Sequence, residues 1–181
     1  SPSFIKSLTQ IPGVDMIAKG NGVAQPVIRG LSMTNILMLN NGIKLENFQF
    51  SENHPYLIDE FGVDRVEAIK GPASLLYGSD AVGGIINVIK EKPAIDGKIE
   101  GDYNAQYDSN TDGLVTNLGI KSRSGDFFYG LRAGIRSHQD YKDGNMDRVP
   151  NTRYNENSFK ANLGLNRSFG VFRLFYDYNR P

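Results

Sequence analysis

Cysteine and tryptophan are absent from the 181-residue chain, and histidine occurs only as His54 and His138. Without Cys there is no disulfide framework, no thiolate metal site and no Cys nucleophile. Two histidines do not make a multi-His zinc centre unless another chain contributes. Net charge is missing as well, because 20 Lys and Arg balance 20 Asp and Glu. That removes the electrostatic footprint of a nucleic-acid binder or a polybasic membrane anchor, so no nucleic-acid partner is expected. No apolar run reaches the length of a spanning helix. What the chain does have is 20 Gly, 9 Tyr and 10 Phe with few helix signals, a composition that points to β structure.

The patterning changes near Pro93. Residues 1–93 hold 6 of the 19 aromatics and residues 94–181 the other 13, whereas basic and acidic residues are nearly matched in both parts. The boundary is therefore one of side-chain pattern and not of electrostatics. In the first part, short apolar runs such as 36–39, 66–69 and 85–89 are bounded by Gly, Pro and Asn. Such runs read as strands buried on both faces. Asn41-Gly42 stands at the end of one of these runs and before Ile43, as in a two-residue hairpin. Residues 3–10 suit a short helix ended by Pro12-Gly13. The first part thus reads as an α+β globular domain with much loop.

The second part alternates with period two. Small or apolar residues recur at Ile99, Gly101, Tyr103, Ala105 and Tyr107, and again at Leu114, Thr116, Leu118 and Ile120. Further sets are Phe127 to Ile135, Phe159 to Leu165 and Phe172 to Tyr178, while Lys121, Arg132, Arg136, Lys160, Arg173 and Asp177 occupy the opposite faces. Such alternation fits an antiparallel sheet on a soluble core and equally a transmembrane β-barrel strand. The connections favour the barrel. Short links at 123–125 and 168–170 contrast with a long polar stretch at 138–157, and outer-membrane barrels are strung with short turns at one end and long loops at the other. Five strands cannot close, since the smallest such barrels use eight, and open edges are untenable in lipid. The expectation is that the chain is the front part of something larger.

Residues 63–92 read VDRVEAIKGPASLLYGSDAVGGIINVIKEK. This stretch resembles the plug-domain signature of TonB-dependent outer-membrane receptors, in which Arg/Lys-Gly-Pro and Tyr-Gly precede a Gly-Gly-hydrophobic strand. Ile11-Pro12-Gly13-Val14, Ile28-Arg29-Gly30 and the 36–43 run with its Asn-Gly agree in order and spacing. The residues themselves read as structural: Gly71-Pro72 forces a turn after a strand, and Gly83-Gly84 lets backbone pass close to a neighbour. They do not read as a phosphate loop, which needs Lys after its closing Gly where this chain has Ser79-Asp80.

The resemblance implies residues 1–93 as a plug lacking its N-terminal part and 94–181 as the first strands of an antiparallel barrel of about 22 strands. It implies import of a scarce extracellular ligand into the periplasm across the cell outer membrane. The energy comes from a TonB complex acting through a segment not found here. No bond is made or broken, so no enzyme, catalytic residue, cofactor or resident metal is expected. The expected partners are the TonB complex, a small-molecule or metal-chelate ligand, outer-membrane lipid and the remainder of the barrel. The competing expectation is a soluble plug-derived binding module without transport activity.

By the same resemblance, ligand contacts fall on upward plug loops, with Lys19 and Asn21, Met33 and Thr34, and Glu46, Asn47, Phe48, Gln49, Phe50, Asn53 and His54 as candidates. Exposed aromatics among polar groups suit a chelate or a flat cofactor. His54 beside Glu52 could coordinate a metal, although a single loop histidine is more often a solvated one. Arg29 and Lys70 match plug cations that in the family face glutamates on the barrel wall. Lys70 stands where Arg is usual, which removes a bidentate fork. Arg65 and Glu67 read either as lining between plug and barrel or as a plain surface pair.

Overall fold

The computed structural model describes residues 8–18, 24–32, 35–45, 59–71, 77–78 and 81–180. The chain divides into two compact units, Ser1–Glu91 and Lys92–Pro181. In the first, β1 (Val14–Ala18) pairs antiparallel with β2 (Ala24–Ile28). A mixed four-stranded sheet has the order β4-β3-β6-β5, with β3 at Ile36–Asn40, β4 at Ile43–Lys44, β5 at Val63–Ile69 and β6 at Gly84–Lys90. The short helix expected at 3–10 lies mostly outside the described residues.

The apolar runs become strands with a core on each side. From β3 and β6, Ile36, Met38, Ile86 and Val88 pack with Leu8, Val14 and Ile28 on one face, while Leu37, Leu39 and Ile85 pack with Ala81 on the other. The parallel β3–β6 pair at the centre is thereby covered on both faces, which its continuous hydrophobic sequence requires. The 66–69 run differs from expectation. It belongs to β5, an edge strand with exposed Asp64 and Arg65 and partly exposed apolar residues, because an edge has a neighbour on one side only. Asn41 and Gly42, at φ 53° and 83°, form the two-residue hairpin between β3 and β4, and Asn87 Oδ1 accepts the Gly42 N–H at 3.0 Å.

The second unit is a five-stranded antiparallel meander in chain order: β7 (Ile99–Asp108), β8 (Gly113–Ser124), β9 (Phe127–His138), β10 (Tyr154–Arg167) and β11 (Gly170–Arg180). Two-residue turns at 125–126 and 168–169 mark one end, and the 109–112 turn and the 139–153 loop mark the other. Register lines up Tyr103, Leu118, Ala133, Phe159 and Tyr178 across all five strands. The adjacent row is Gly101, Ile120, Leu131, Ala161 and Tyr176. Tyr103, Leu118 and Leu131 are 69%, 61% and 44% exposed, so this face is a continuous, exposed apolar surface.

On the polar face, large side chains lie flat across glycines of the neighbouring strand. A Cβ at Gly119 would collide with the Arg132 guanidinium, one at Gly130 with the Asn162 amide, and one at Gly164 with the Phe128 ring. Gly119↔Arg132, Gly130↔Asn162 and Gly164↔Phe128 are all direct cross-strand partners, so the missing Cβ of one makes room for the side chain of the other.

In the first unit, Gly84 has φ 142°, and a Cβ there would lie 2.9 Å from the Ile69 carbonyl oxygen and 3.0 Å from Ile28 Cδ1. Gly84→Ala is expected to destabilise the full-length protein by roughly 2–6 kcal/mol, combining about 1–3 for overpacking with about 1–3 for the glycine-only backbone. Thermal or denaturant unfolding checks this, and an unchanged midpoint would contradict the close approach of β6 to Ile69.

Candidate functional site

The candidate ligand residues Lys19, Asn21, Met33, Thr34, Glu46, Asn47, Phe48, Gln49, Phe50, Asn53 and His54 lie outside the described residues. Among the described residues, no cluster of three or more His, Asp or Glu is arranged to hold a metal ion. The four candidate docking residues are described, and the structure does not bring them together as one cluster.

Arg29 occupies the first position of a two-residue turn. Ile28 and Leu31 exchange backbone hydrogen bonds of 2.8 and 2.9 Å, and Arg29 and Gly30 both have positive φ, 51° and 80°. The Arg29 N–H donates to the Gly13 carbonyl at 3.1 Å, and Gly30 beside it is exposed. The contrast with Asn41-Gly42 is informative. The two turns have the same positive-φ pattern, but Asn tolerates the left-handed conformation through its short polar side chain, whereas Arg does not. A non-glycine residue held there is kept against its own backbone preference.

Lys70 follows β5 and donates from Nζ to the Pro12 carbonyl oxygen, tying that strand end to the turn before β1. Arg65 makes its ion pairs within its own strand, to Glu67 at 2.8 Å and to Asp64 at 3.0 Å. Glu67 sits two residues along, on the same side of the pleat. All of these groups are partly exposed, so the pairs contribute little to stability.

The second unit carries groups that sequence reading placed on a face without partners. Arg132 is 7% exposed and forms a fork with Asp102 across two strands, at 2.6 and 2.7 Å, while Nη1 also donates to Asn117 Oδ1 at 2.7 Å. Arg136 reaches Glu156 at 3.1 Å, and Glu156 accepts from Asn179 Nδ2 at 2.9 Å. Lys121 faces Glu100 at 3.6 Å. Charges on the polar face are thus paired across strands, and Arg132 and Arg136 are held by charge-assisted bonds. Period-two alternation marked Arg132 and Arg136 as polar-face residues. Their partners follow only from register.

At the long-loop end, Asp112 accepts from Tyr107 Oη at 3.1 Å and from Lys142 Nζ at 3.3 Å, and pairs with Arg148. These bonds, the Tyr107 hydroxyl foremost, hold its carboxyl below the usual carboxylate range. Thr111 Oγ1 lies 2.7 Å from His138 Nδ1, and the His138 ring stacks on Tyr154 at 4.6 Å.

This combination, a small mixed-sheet unit rich in glycine turns followed by an alternating antiparallel meander, defines a plug-type domain joined to strands with one bare apolar face. Residues 1–85 match the TonB-dependent Receptor Plug Domain. The chain is similar to the vitamin B12 transporter BtuB of Photobacterium profundum, with 34% identity over 88 residues. It is likewise similar to BtuB of Vibrio vulnificus, with 37% identity over 91 residues. Each match takes in 48% of this chain and 14% of the relative, so the chain covers about a seventh of the length of these relatives. Among solved structures, the copper transporter OprC superposes with a TM-score of 0.82 at 23% identity, covering 97% of this chain and 27% of that one. The pyoverdine outer membrane receptor FpvA from Pseudomonas aeruginosa gives 0.76 at 21% identity, covering 97% and 24%. These likenesses establish the fold, and the relatives named are transporters and receptors, not enzymes.

If Arg29 is retained for its charge and not for the fold, Arg29→Asn should raise stability. The left-handed conformation costs an ordinary residue about 1–2 kcal/mol, and Asn recovers much of that in an Asn-Gly turn. A higher unfolding midpoint in the variant is the expected result. A lower one would mean that the Arg29 side chain supports the first unit.

Proposed function

We propose that residues 92–181 are the first strands of an outer-membrane β-barrel and that residues 1–91 are its plug. The whole protein then imports a scarce extracellular ligand into the periplasm with energy from a TonB complex. The observation that carries this reading is the five-stranded sheet whose apolar face is exposed row after row, while the cross-strand ion pairs of Asp102, Lys121 and Arg136 lie on the other face. In water such a face is an aggregation hazard. Against lipid it is what a barrel wall requires, with the remaining strands supplied to the open edges β7 and β11. The plug-domain match over residues 1–85 points the same way.

The ligand class is a small molecule or metal chelate, because cobalamin, copper and ferric-siderophore proteins are among the relatives in sequence or fold. Ligand contact is assigned to the loops that carry Lys19, Asn21, Met33, Thr34, residues 46–50, Asn53 and His54. Arg29 is assigned to docking against acidic groups in the remainder of the barrel. The support for Arg29 is a cationic side chain kept on a turn whose backbone disfavours it. Lys70 has a weaker claim, since its ammonium already bonds to the Pro12 carbonyl.

The discriminating experiment places one charge on each face of the sheet. Leu131→Arg introduces it on the apolar face and Asn104→Arg on the polar face. In a barrel wall the first costs about 2–4 kcal/mol near the bilayer midplane, so heat-modifiable receptor in the outer-membrane fraction should fall sharply for Leu131→Arg and stay near the parental level for Asn104→Arg. Equal levels for both, or a soluble parent protein, would favour the plug-derived soluble module. Uptake of radiolabelled cobalamin and of ferric siderophores by cells carrying or lacking the gene then separates the ligand classes.

A further inference from the structure

We propose that Asp112 is the centre of a clasp that holds the 139–153 loop against the 109–112 turn as a preformed rim, and that the clasp lets go when the Asp112 carboxylate is neutralised. Three groups converge on this one side chain: the Tyr107 hydroxyl from β7, and Lys142 and Arg148 from the loop. Arg148 also donates to the Asp140 carbonyl oxygen at 2.5 Å, so the same guanidinium joins two parts of the loop to the turn. A second tie runs in parallel, where Asn110 Nδ2 donates to the Lys142 carbonyl at 2.7 Å and Asn110 Oδ1 accepts the Lys142 N–H at 3.2 Å. The loop is closed on itself by Asp140, whose Oδ1 takes the N–H groups of Thr152 and Arg153, both at 2.8 Å.

Backbone strain gives the independent reason that such a clasp is needed. Met146 and Asn151 have φ of 70° and 64°, and Asp112 itself has 45°. Non-glycine residues persist in that region when the surroundings over-determine them: Asp112 is held by its own three bonds, Asn151 lies in the segment closed by Asp140, and Met146 lies in a tight turn in which Asp143 Oδ1 accepts the Asn145 and Asp147 N–H groups at 2.8 and 3.0 Å. The loop is therefore built to stand as a fixed wall and not to sweep over a ligand. The description of it as a rim rests on the barrel reading above, whereas the clasp itself does not.

The pH dependence has a definite sign. Asp112 and Asp140 are both held below the ordinary carboxylate range, Asp112 chiefly by Tyr107 and Asp140 chiefly by the Thr152 N–H. A depressed carboxylate contributes while charged, so its hold is fully present above the ordinary carboxylate value and is lost as pH falls through the lower folded value. The charged or titratable groups facing Asp112 are Tyr107, Lys142 and Arg148, with Asp108 near the Tyr107 end. His138, whose ring meets Thr111 beside Asp112, is a further titratable group at this end, so the Asp112→Asn variant is what separates the Asp112 contribution from the rest.

The test uses the full-length receptor with a spin label at Asn145→Cys in the loop, since this segment holds no native cysteine. The label should be restrained at neutral pH and become several-fold more mobile in Asp112→Asn, which keeps both the shape and the tolerance for positive φ. Arg148→Gln should free it in the same way and carries the test if the first variant fails to assemble. In the parent protein acid should release the label, and in Asp112→Asn the part of that step owed to Asp112 should be gone. Equal mobility in the parent and both variants overturns the clasp. An undiminished acid step in Asp112→Asn assigns the release to other groups and overturns the role given to Asp112. An impermeant thiol reagent applied to intact cells reports separately which side the loop faces. Failure of labelling there would sink the barrel orientation while leaving the mobility result to judge the clasp.

Discussion

The second unit depends on a single geometric constraint: successive side chains of a strand point to opposite faces. Once the five strands are in register, the Arg, Lys, Asp and Glu residues that alternate with Leu, Tyr or Phe fall on one side of the sheet. A one-residue slip would move a whole strand of charges onto the apolar face. The charges resist that slip themselves. Arg132 reaches over Gly119 to Asp102 and fixes β9 against β8 and β7 together. Arg136 to Glu156, and Glu156 to Asn179, do the same for β9, β10 and β11. The ion pairs therefore act as register pins in a sheet whose other face has no internal core to specify it.

Glycine serves the two units differently. In the first it supplies turns and close backbone passages, at Gly30, Gly42, Gly83 and Gly84, where either positive φ or a carbonyl excludes a Cβ. In the second, Gly119, Gly130 and Gly164 lie in extended strands and are needed for the space above them. The side chains of Arg132, Asn162 and Phe128 occupy that space and lie along the sheet. The polar wall stays thin as a result, and its charged groups are held close to the backbone they pair over.

Much of this was legible in the sequence because it follows from local periodicity. The short apolar runs marked β3 and β6, Asn41-Gly42 marked the β3–β4 hairpin, and alternation marked all five strands of the second unit. The 66–69 run misled as to burial, since an apolar stretch does not reveal whether its strand is central or at an edge. Pairing was illegible for a different reason. Arg132 and Asp102 are separated by a whole hairpin, and only the register, set by the two-residue turn at 125–126 and the four-residue turn at 109–112, brings them together. The turn at Arg29 was hidden because Arg-Gly carries none of the statistical signal of Asn-Gly, although it adopts the same positive φ angles.

The zero net charge takes on a different meaning beside these contacts. As composition, it excluded a strongly basic or acidic surface. In the structure it is matched by one-to-one neutralisations made locally across the second unit's strands, at Asp102 with Arg132, Glu156 with Arg136 and Glu100 with Lys121. A surface neutralised over a few ångströms has a field that falls away within a Debye length and steers distant ligands little. At these positions the sheet is neutral pair by pair, and its charges act on their cross-strand partners and not at a distance.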